Sequence, residues 1–366
     1  MATTSLTLGW YISRRFTVTV IGVFAGCAAL IFLVDFVELL RRTSDLNDLS
    51  IFTLLYISAI KMPSMIEQML PFAVLIGSIV AYLALSRKSE LVVARSIGMS
   101  VWQFIAPAIL ATFILGLIAV TIYNPFSAYL KELHANLAAS LFGEESQIAF
   151  SSSRTGIWLR QDGPDGQSVI HTQSASNQGE SLRNVTFFAF DPSGAFVERI
   201  EAETAALKTG YWDLANVWVI SSESAPQFYR SYTISTYLSK TQVQESFSDP
   251  ETVSFWDLPR FIEIAERAGL RATRYRMQYQ TLLARPLFLC AMVLIAATVS
   301  LRNFRYGQIG RLIISGICAG FFLYVLTKLL NDLGSGGILN PVLAAWAPGV
   351  IGTLAAVSIL LYQEDG

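Results

Sequence analysis

Val185-Thr186-Phe187-Phe188-Ala189-Phe190, followed by Asp191-Pro192-Ser193-Gly194 and then Phe196-Val197-Glu198-Arg199-Ile200-Glu201-Ala202, reads as two strands joined by a turn. Aromatic and β-branched residues fill both runs, and the intervening residues carry turn chemistry. The same pattern recurs at Gly156–Arg160, Ser168–His171, Val217–Ile220 and Ser231–Leu238. Turn clusters at Asp162-Gly163-Pro164-Asp165-Gly166 and Lys208-Thr209-Gly210 separate these runs. Short strands at this spacing predict an antiparallel sandwich, barrel or jelly roll within a polar insert from Leu141 to Ser254. The insert contains no nucleophile–base pair, metal cluster or phosphate-binding loop in its sequence. Such a module binds or conducts a ligand, or serves as a structural cap.

The flanks are of another kind. Apolar runs lie at Phe16–Leu40, Met65–Leu85 and Val101–Tyr123 before the insert, and at Leu282–Ser300, Leu312–Leu330 and Ala344–Tyr362 after it. Each approaches or exceeds the ~20 residues that cross a ~30 Å hydrocarbon core as a helix. The expected fold class is therefore membrane α-helical, six transmembrane helices arranged 3+3, with an inserted all-β, jelly-roll-like domain. The expected boundaries are 1–135 for the first three helices, 136–254 for the β-domain and 255–366 for an interfacial helix and the last three. The residues Phe255–Gly269 form that amphipathic helix, with Phe255, Trp256, Leu258, Phe261, Ile262 and Ile264 set against Glu263, Glu266 and Arg267.

Composition agrees: 53% of residues are hydrophobic, 14% are charged and the mean hydropathy is +0.49. A soluble domain carries about 25% charged residues. The net charge of −1 gives no sign of a nucleic-acid partner. Cys27, Cys290 and Cys318 all fall in predicted spans, so no disulfide is expected, and His134 and His171 have no metal-ligand spacing around them. Arg14 and Arg15 precede an apolar run too long for a signal peptide, which reads as a retained first span. Basic residues at Arg14, Arg15, Arg87, Lys88, Arg95, Arg302, Arg305 and Arg311 favour cytoplasmic termini and an external insert. Arg41, Arg42, Arg271, Arg274, Arg276 and Arg285 then fall on the outer side, against the bias.

Three features carry mechanism. Ser86–Ser100, between spans two and three, is an amphipathic helix with apolar Leu91, Val92, Ala94 and Ile97, and Gly98 as its stop. It suits docking into a soluble partner, with Glu90 free to meet a partner arginine; the alternative is an ordinary helical turn on the membrane surface. Asp35, Glu38, Arg41 and Arg42 end span one, where the arginines could grip phosphate or simply pair with Glu38. Arg271, Arg274, Arg276 and Arg285 flank span four, suited to a polyanionic amphipathic ligand or to lipid-headgroup anchoring. Lys328 and Asp332 are expected to pair across one turn. No Gly-x-x-x-x-Gly-Lys-Ser/Thr loop occurs, so energy for any active process comes from a partner or an ion gradient. Apart from Asp35, acidic residues are missing from the span centres, which disfavours an ion-coupled transporter.

With these motifs in view, the chain resembles the LptF/LptG permease family of the lipopolysaccharide export transporter over essentially its whole length. The most specific match is Arg87-Lys88-Ser89-Glu90-Leu91-Val92-Val93 with Gly98, similar to the family's cytoplasmic coupling helix at about 86–98; Ser-Glu-Leu-Val-Val favours the LptG-type half of the family. Asn124-Pro125, Arg285-Pro286-Leu287 and Gly320–Leu326 add to it. The resemblance implies a non-catalytic permease subunit of an ABC-type transporter in the bacterial inner membrane, with its β-domain in the periplasm. It implies an LptF-type partner subunit, an LptB-type ATPase dimer holding the ATP and magnesium, an LptC-type single-span subunit and a periplasmic LptA-type bridge. Lipopolysaccharide enters laterally at spans one and five. Glu90, with Arg87, Leu91 and Arg95, is implied to couple to the ATPase. Arg41 and Arg42 are implied to contact the lipid, the arginines Arg271 and Arg274 beside span four are expected to join them on their placement alone, and no cofactor is expected to be bound directly. Some relatives carry lysine where this chain has Asp35. An acid there implies a less phosphorylated lipid, a bridging divalent cation, or an Asp35 that faces away. The alternative function is a membrane-anchored scaffold or receptor for envelope assembly without transport.

Overall fold

The computed structural model describes residues 2–42, 50–87, 100–135, 137, 157–164, 166–176, 179–191, 195–221, 225–237, 250–267, 272–300 and 309–365. Two compact units emerge. One holds residues 1–134, 250–262 and 272–366; the other holds 135–249 and 263–271.

The first unit is helical. Its elements are α1 (Ala2–Arg42), α2 (Ile51–Arg87), α3 (Val101–Ile118, continuing through a π-helical turn at Ala119–Tyr123 to Ala135), the first half of α4 (Leu258–Arg267, divided between the units after Ile262), α5 (Thr273–Ser300), α6 (Ile309–Ser335) and α7 (Pro341–Asp365). Six of them, all but α4, are long and apolar enough to cross a membrane. The starts of three follow from local chemistry. Ser50 accepts the Phe52 N–H at the head of α2. Ser100 and Gln103 form a reciprocal capping box on α3. Asn340 accepts the Val342 N–H next to Pro341, whose fixed φ and missing N–H suit the first helical position of α7. Helix α2 begins fourteen residues ahead of the apolar run Met65–Leu85, so it takes in Lys61 as well as Glu67. Pro63 sits inside α2 because neighbouring helices supply hydrogen bonds that a membrane helix otherwise lacks; here the Tyr123 hydroxyl donates to the Pro63 carbonyl at 3.0 Å.

Helix α5 is the hub. Phe288 to Leu294, Ala296 and Ala297 are all buried or nearly so, and they pack with Phe16 and Val20 of α1, Val74 to Leu85 of α2, Phe104 to Ala108 of α3, Leu323 of α6 and Ala356 and Leu360 of α7. Among spans of similar hydropathy, packing against neighbouring helices and not hydrophobicity decides which one lies inside. Gly116 of α3 lets that helix approach Pro286: a Cβ there would stand 2.8 Å from the proline Cα. The outer spans differ sharply. The apolar window of α5 is 72% buried, against 11% for α1 and 17% for α6. Lys328 and Asp332 are each exposed on α6 and do not pair with one another, contrary to expectation. An exposed pair gains too little to hold two long side chains in one geometry.

The second unit carries one antiparallel sheet in sequential order: β1 (Ile157–Gly163), β2 (Gly166–Ser176), β3 (Ser181–Phe190), β4 (Phe196–Lys208), β5 (Tyr211–Ser221) and β6 (Gln227–Ser235). All six predicted runs are strands. The described strands form a meander without a Greek-key crossover. Leu159, Ile170, Leu182, Val185, Phe187, Ile200, Trp212, Leu214 and Val217 make one core on one face. The inward positions step by three, not two, at Leu182→Val185, Ala202→Ala205 and Leu214→Val217. Asn184 and Asn216 adopt left-handed φ of 47° and 53° there, a conformation asparagine tolerates. All three strands shift together at Asn184, Glu203 and Asn216, so register survives on either side. The Asn216 amide donates to Glu203 at 2.7 Å across this row.

The sheet curls around its core. Buried Gln161 of β1 donates from its amide to Ser168 Oγ at 2.8 Å, and its Oε1 accepts from Trp212 Nε1 at 2.9 Å and from Thr236 Oγ1 at 2.8 Å. Gly163, ending β1, faces the end of β6 so closely that a Cβ would lie 2.6 Å from the Ser235 carbonyl oxygen. Only glycine fits.

Candidate functional site

Asp35, near the end of α1, and Lys61, in the first third of α2, bring opposite charges together in the helical unit. An ionisable group in an apolar span persists only when paired or functional. Asp35 of α1 is paired twice. Its Oδ1 meets Lys61 Nζ at 2.5 Å and its Oδ2 accepts from Ser58 Oγ at 2.8 Å, both from α2. The Asp35 side chain is 13% exposed and that of Lys61 29%. Asp35 is thus turned onto α2 and neutralised there, while part of the Lys61 side chain remains accessible. His134, near the end of α3, lies within electrostatic range of both charges.

A second cluster lies farther along α2. Buried Glu67 accepts, on one carboxylate oxygen, from Arg285 of α5 and from the Asn124 amide of α3 at 2.9 Å. Asn124 then accepts the Phe255 backbone N–H at 3.0 Å on its own oxygen. Trp256 Nε1 donates to the Thr121 carbonyl of the π-helical turn at 3.0 Å, and Lys131 meets Glu251 at 2.6 Å. Val253, Phe255, Leu258 and Phe261 complete the contact by packing with Val120, Tyr275 and Leu282. The strap Pro250–Ile262 is therefore fastened to α3 by polar and apolar contacts at once.

The residues singled out in the sequence divide three ways. Arg41 is near the end of α1, 81% exposed, and stands 3.6 Å from Glu38 on the preceding turn. Arg42 closes α1 and Arg87 closes α2. Arg274 is exposed on the first turn of α5, and Arg276 is exposed beyond it. Glu90, Leu91, Arg95 and Arg271 lie outside the described residues. Arg285 does not join the exposed arginines: it is committed to Glu67. Lys61 and Glu67 count in the sequence only as lesser candidates ahead of span two, and Ser58 and Asn124 are polar participants to which sequence reasoning assigned no role. The available signal was a lysine and a glutamate within one long apolar helix, six residues apart and each needing a counter-charge.

Six membrane-crossing helices, a polar β-sheet inserted after the third, and charges paired between helices define a multi-pass membrane protein carrying a β-domain. The sequence matches the model of the family described as lipopolysaccharide export system permease LptF/LptG over residues 10–362. The chain belongs to that family. It is 23% identical to the lipopolysaccharide export system permease protein LptG of Escherichia coli strain K12 over 365 residues, which spans 97% of this chain and 98% of that protein. It is also 23% identical over 342 residues to the protein of the same name from Haemophilus influenzae, with 89% and 90% covered. The family expected from the coupling-helix string and the 3+3 layout is the family found.

Proposed function

We propose that this chain is the LptG-type permease subunit of a lipopolysaccharide exporter in a bacterial inner membrane, with cytoplasmic termini and a periplasmic β-domain. The observation that carries the reading beyond the family match is the exposure of two spans. Helices α1 and α6 are spans one and five, and only 11% and 17% of their apolar windows are buried, while α5 is 72% buried. Bare apolar faces on these two spans suit a second permease subunit and a lipid that enters between them. Arg41, Arg42, Arg271 and Arg274 supply cations at the outer end for headgroup phosphates. Lys61, whose side chain is partly exposed, offsets Asp35 where some relatives carry lysine. Glu90, with Arg87, Leu91 and Arg95, docks the cytoplasmic ATPase dimer, in which ATP and magnesium reside. The permease subunit does no covalent chemistry.

Affinity purification in mild detergent, with mass spectrometry of proteins and lipids, tests this assignment. A second six-span permease, a soluble ATPase and lipopolysaccharide are expected together. Recovery without any ATPase, under conditions that preserve other membrane complexes, would favour the scaffold function.

A further inference from the structure

The Glu67–Arg285–Asn124 cluster does more than brace helices. A buried ion pair is a poor way to add stability, because desolvation offsets attraction and apolar replacements do as well. Here the pair is held by a third residue with directional chemistry. Asn124 uses its amide nitrogen on Glu67 and its amide oxygen on the Phe255 N–H. Turning the amide over would break both bonds, so the orientation of Asn124 is set by α2 and the strap together. The residue follows the π-helical turn Ala119–Tyr123, and π turns concentrate at functional positions. Tyr123 binds α2 and Thr121 binds Trp256 of the strap, so the same short segment of α3 faces both.

We infer that Asn124 is a positioning residue for transport: it transmits displacements of α2 and α5 to the strap Pro250–Ile262, on which the chain returns from the β-domain. A shift of Glu67 or Arg285 during the cycle moves or breaks the Asn124 bond, and the Phe255 N–H follows. The inference rests on the exporter reading for its transport readout, so a second readout is independent of the lipid.

The test uses the full permease complex with its ATPase in nanodiscs. Hydrogen exchange at the Phe255 N–H is compared without nucleotide and with a trapped ATP state. The wild type should change about tenfold, the effect of making or losing one buried hydrogen bond. In Asn124→Leu that nucleotide response should vanish. Lipid exported per ATP should drop about tenfold while hydrolysis stays within about twofold. Asn124→Asp combined with Glu67→Gln restores one amide and one carboxylate and should recover the coupling. Unchanged wild-type protection in both nucleotide states would overturn the inference, even if no variant folds. So would transport and hydrolysis falling in parallel. A nucleotide-dependent Phe255 response in a complex that binds no lipopolysaccharide would keep the joint and remove the substrate assignment.

Discussion

Replacing Lys61 with methionine leaves Asp35 beside an apolar side chain. The carboxylate is 13% exposed and keeps Ser58 as its partner on α2. Removing one member of a fully buried pair costs about 3–5 kcal/mol, because the other charge stays uncompensated. Lys61 is 29% exposed, so water reaches the vacated position and the cost falls to about 2 kcal/mol. That is roughly a thirtyfold change in the unfolding equilibrium. Reversible denaturant unfolding of the purified protein in mixed micelles measures it. The double variant Asp35→Asn, Lys61→Met carries no stranded charge and should lie within about 1 kcal/mol of the wild type. The two sites must therefore couple strongly in a double-mutant cycle. A Lys61→Met cost below about 0.5 kcal/mol, or a double variant as unstable as the sum of the singles, would refute the pairing argument. Asp35→Asn alone removes the counter-charge of the partly exposed Lys61 side chain. It should tighten binding of anionic lipid headgroups, read by vesicle co-sedimentation at low salt.

Three further outcomes are expected. Arg41→Glu with Arg42→Glu reverses the charge at the end of α1. It should lower lipid-stimulated ATP hydrolysis about tenfold or more while the complex remains intact by size-exclusion chromatography. Glu90→Ala removes the acid implied to meet an ATPase arginine, and should weaken ATPase recovery in pull-downs or abolish its stimulation. Gln161→Leu deletes the hub of the curled sheet and strands Trp212 Nε1 and the Thr236 hydroxyl; two unsatisfied buried donors cost about 2–4 kcal/mol, detectable as early loss of near-UV dichroism on denaturant titration.

The helical and β-strand elements were legible in the sequence because their periods differ and hydrophobicity reports each directly. Apolar runs exposed all six spans, and turn clusters marked three of the five connections between strands. The start of α2 was hidden because its first fourteen residues, with Lys61 and Pro63 among them, precede the apolar run, whereas contacts with α1 and α3 keep them helical. The three-residue steps at Asn184, Glu203 and Asn216 were hidden for another reason. A coordinated shift on adjacent strands leaves no break in any single strand's pattern. The curl of the sheet depends on Gln161 reaching Trp212 and Thr236, contacts far apart along the chain. For the site, charge near a span end identified Asp35 and Arg41. The partner of Asp35 could not be chosen, since pairing depends on which face of α2 meets α1. Arg285 looked like one of a group of lipid-facing arginines, and its burial against Glu67 separates it from them.

The most direct test of the account is ATP-dependent lipid transfer from proteoliposomes. The chain would be reconstituted with its permease partner, the ATPase and the single-span subunit, and lipopolysaccharide moved to the soluble periplasmic bridge would be quantified. The account predicts transfer that requires ATP, stops in Glu90→Ala and falls steeply when Arg41 and Arg42 are both changed to glutamate. A complete, ATP-hydrolysing complex that moves no lipopolysaccharide, or transfer indifferent to all three residues, would contradict it.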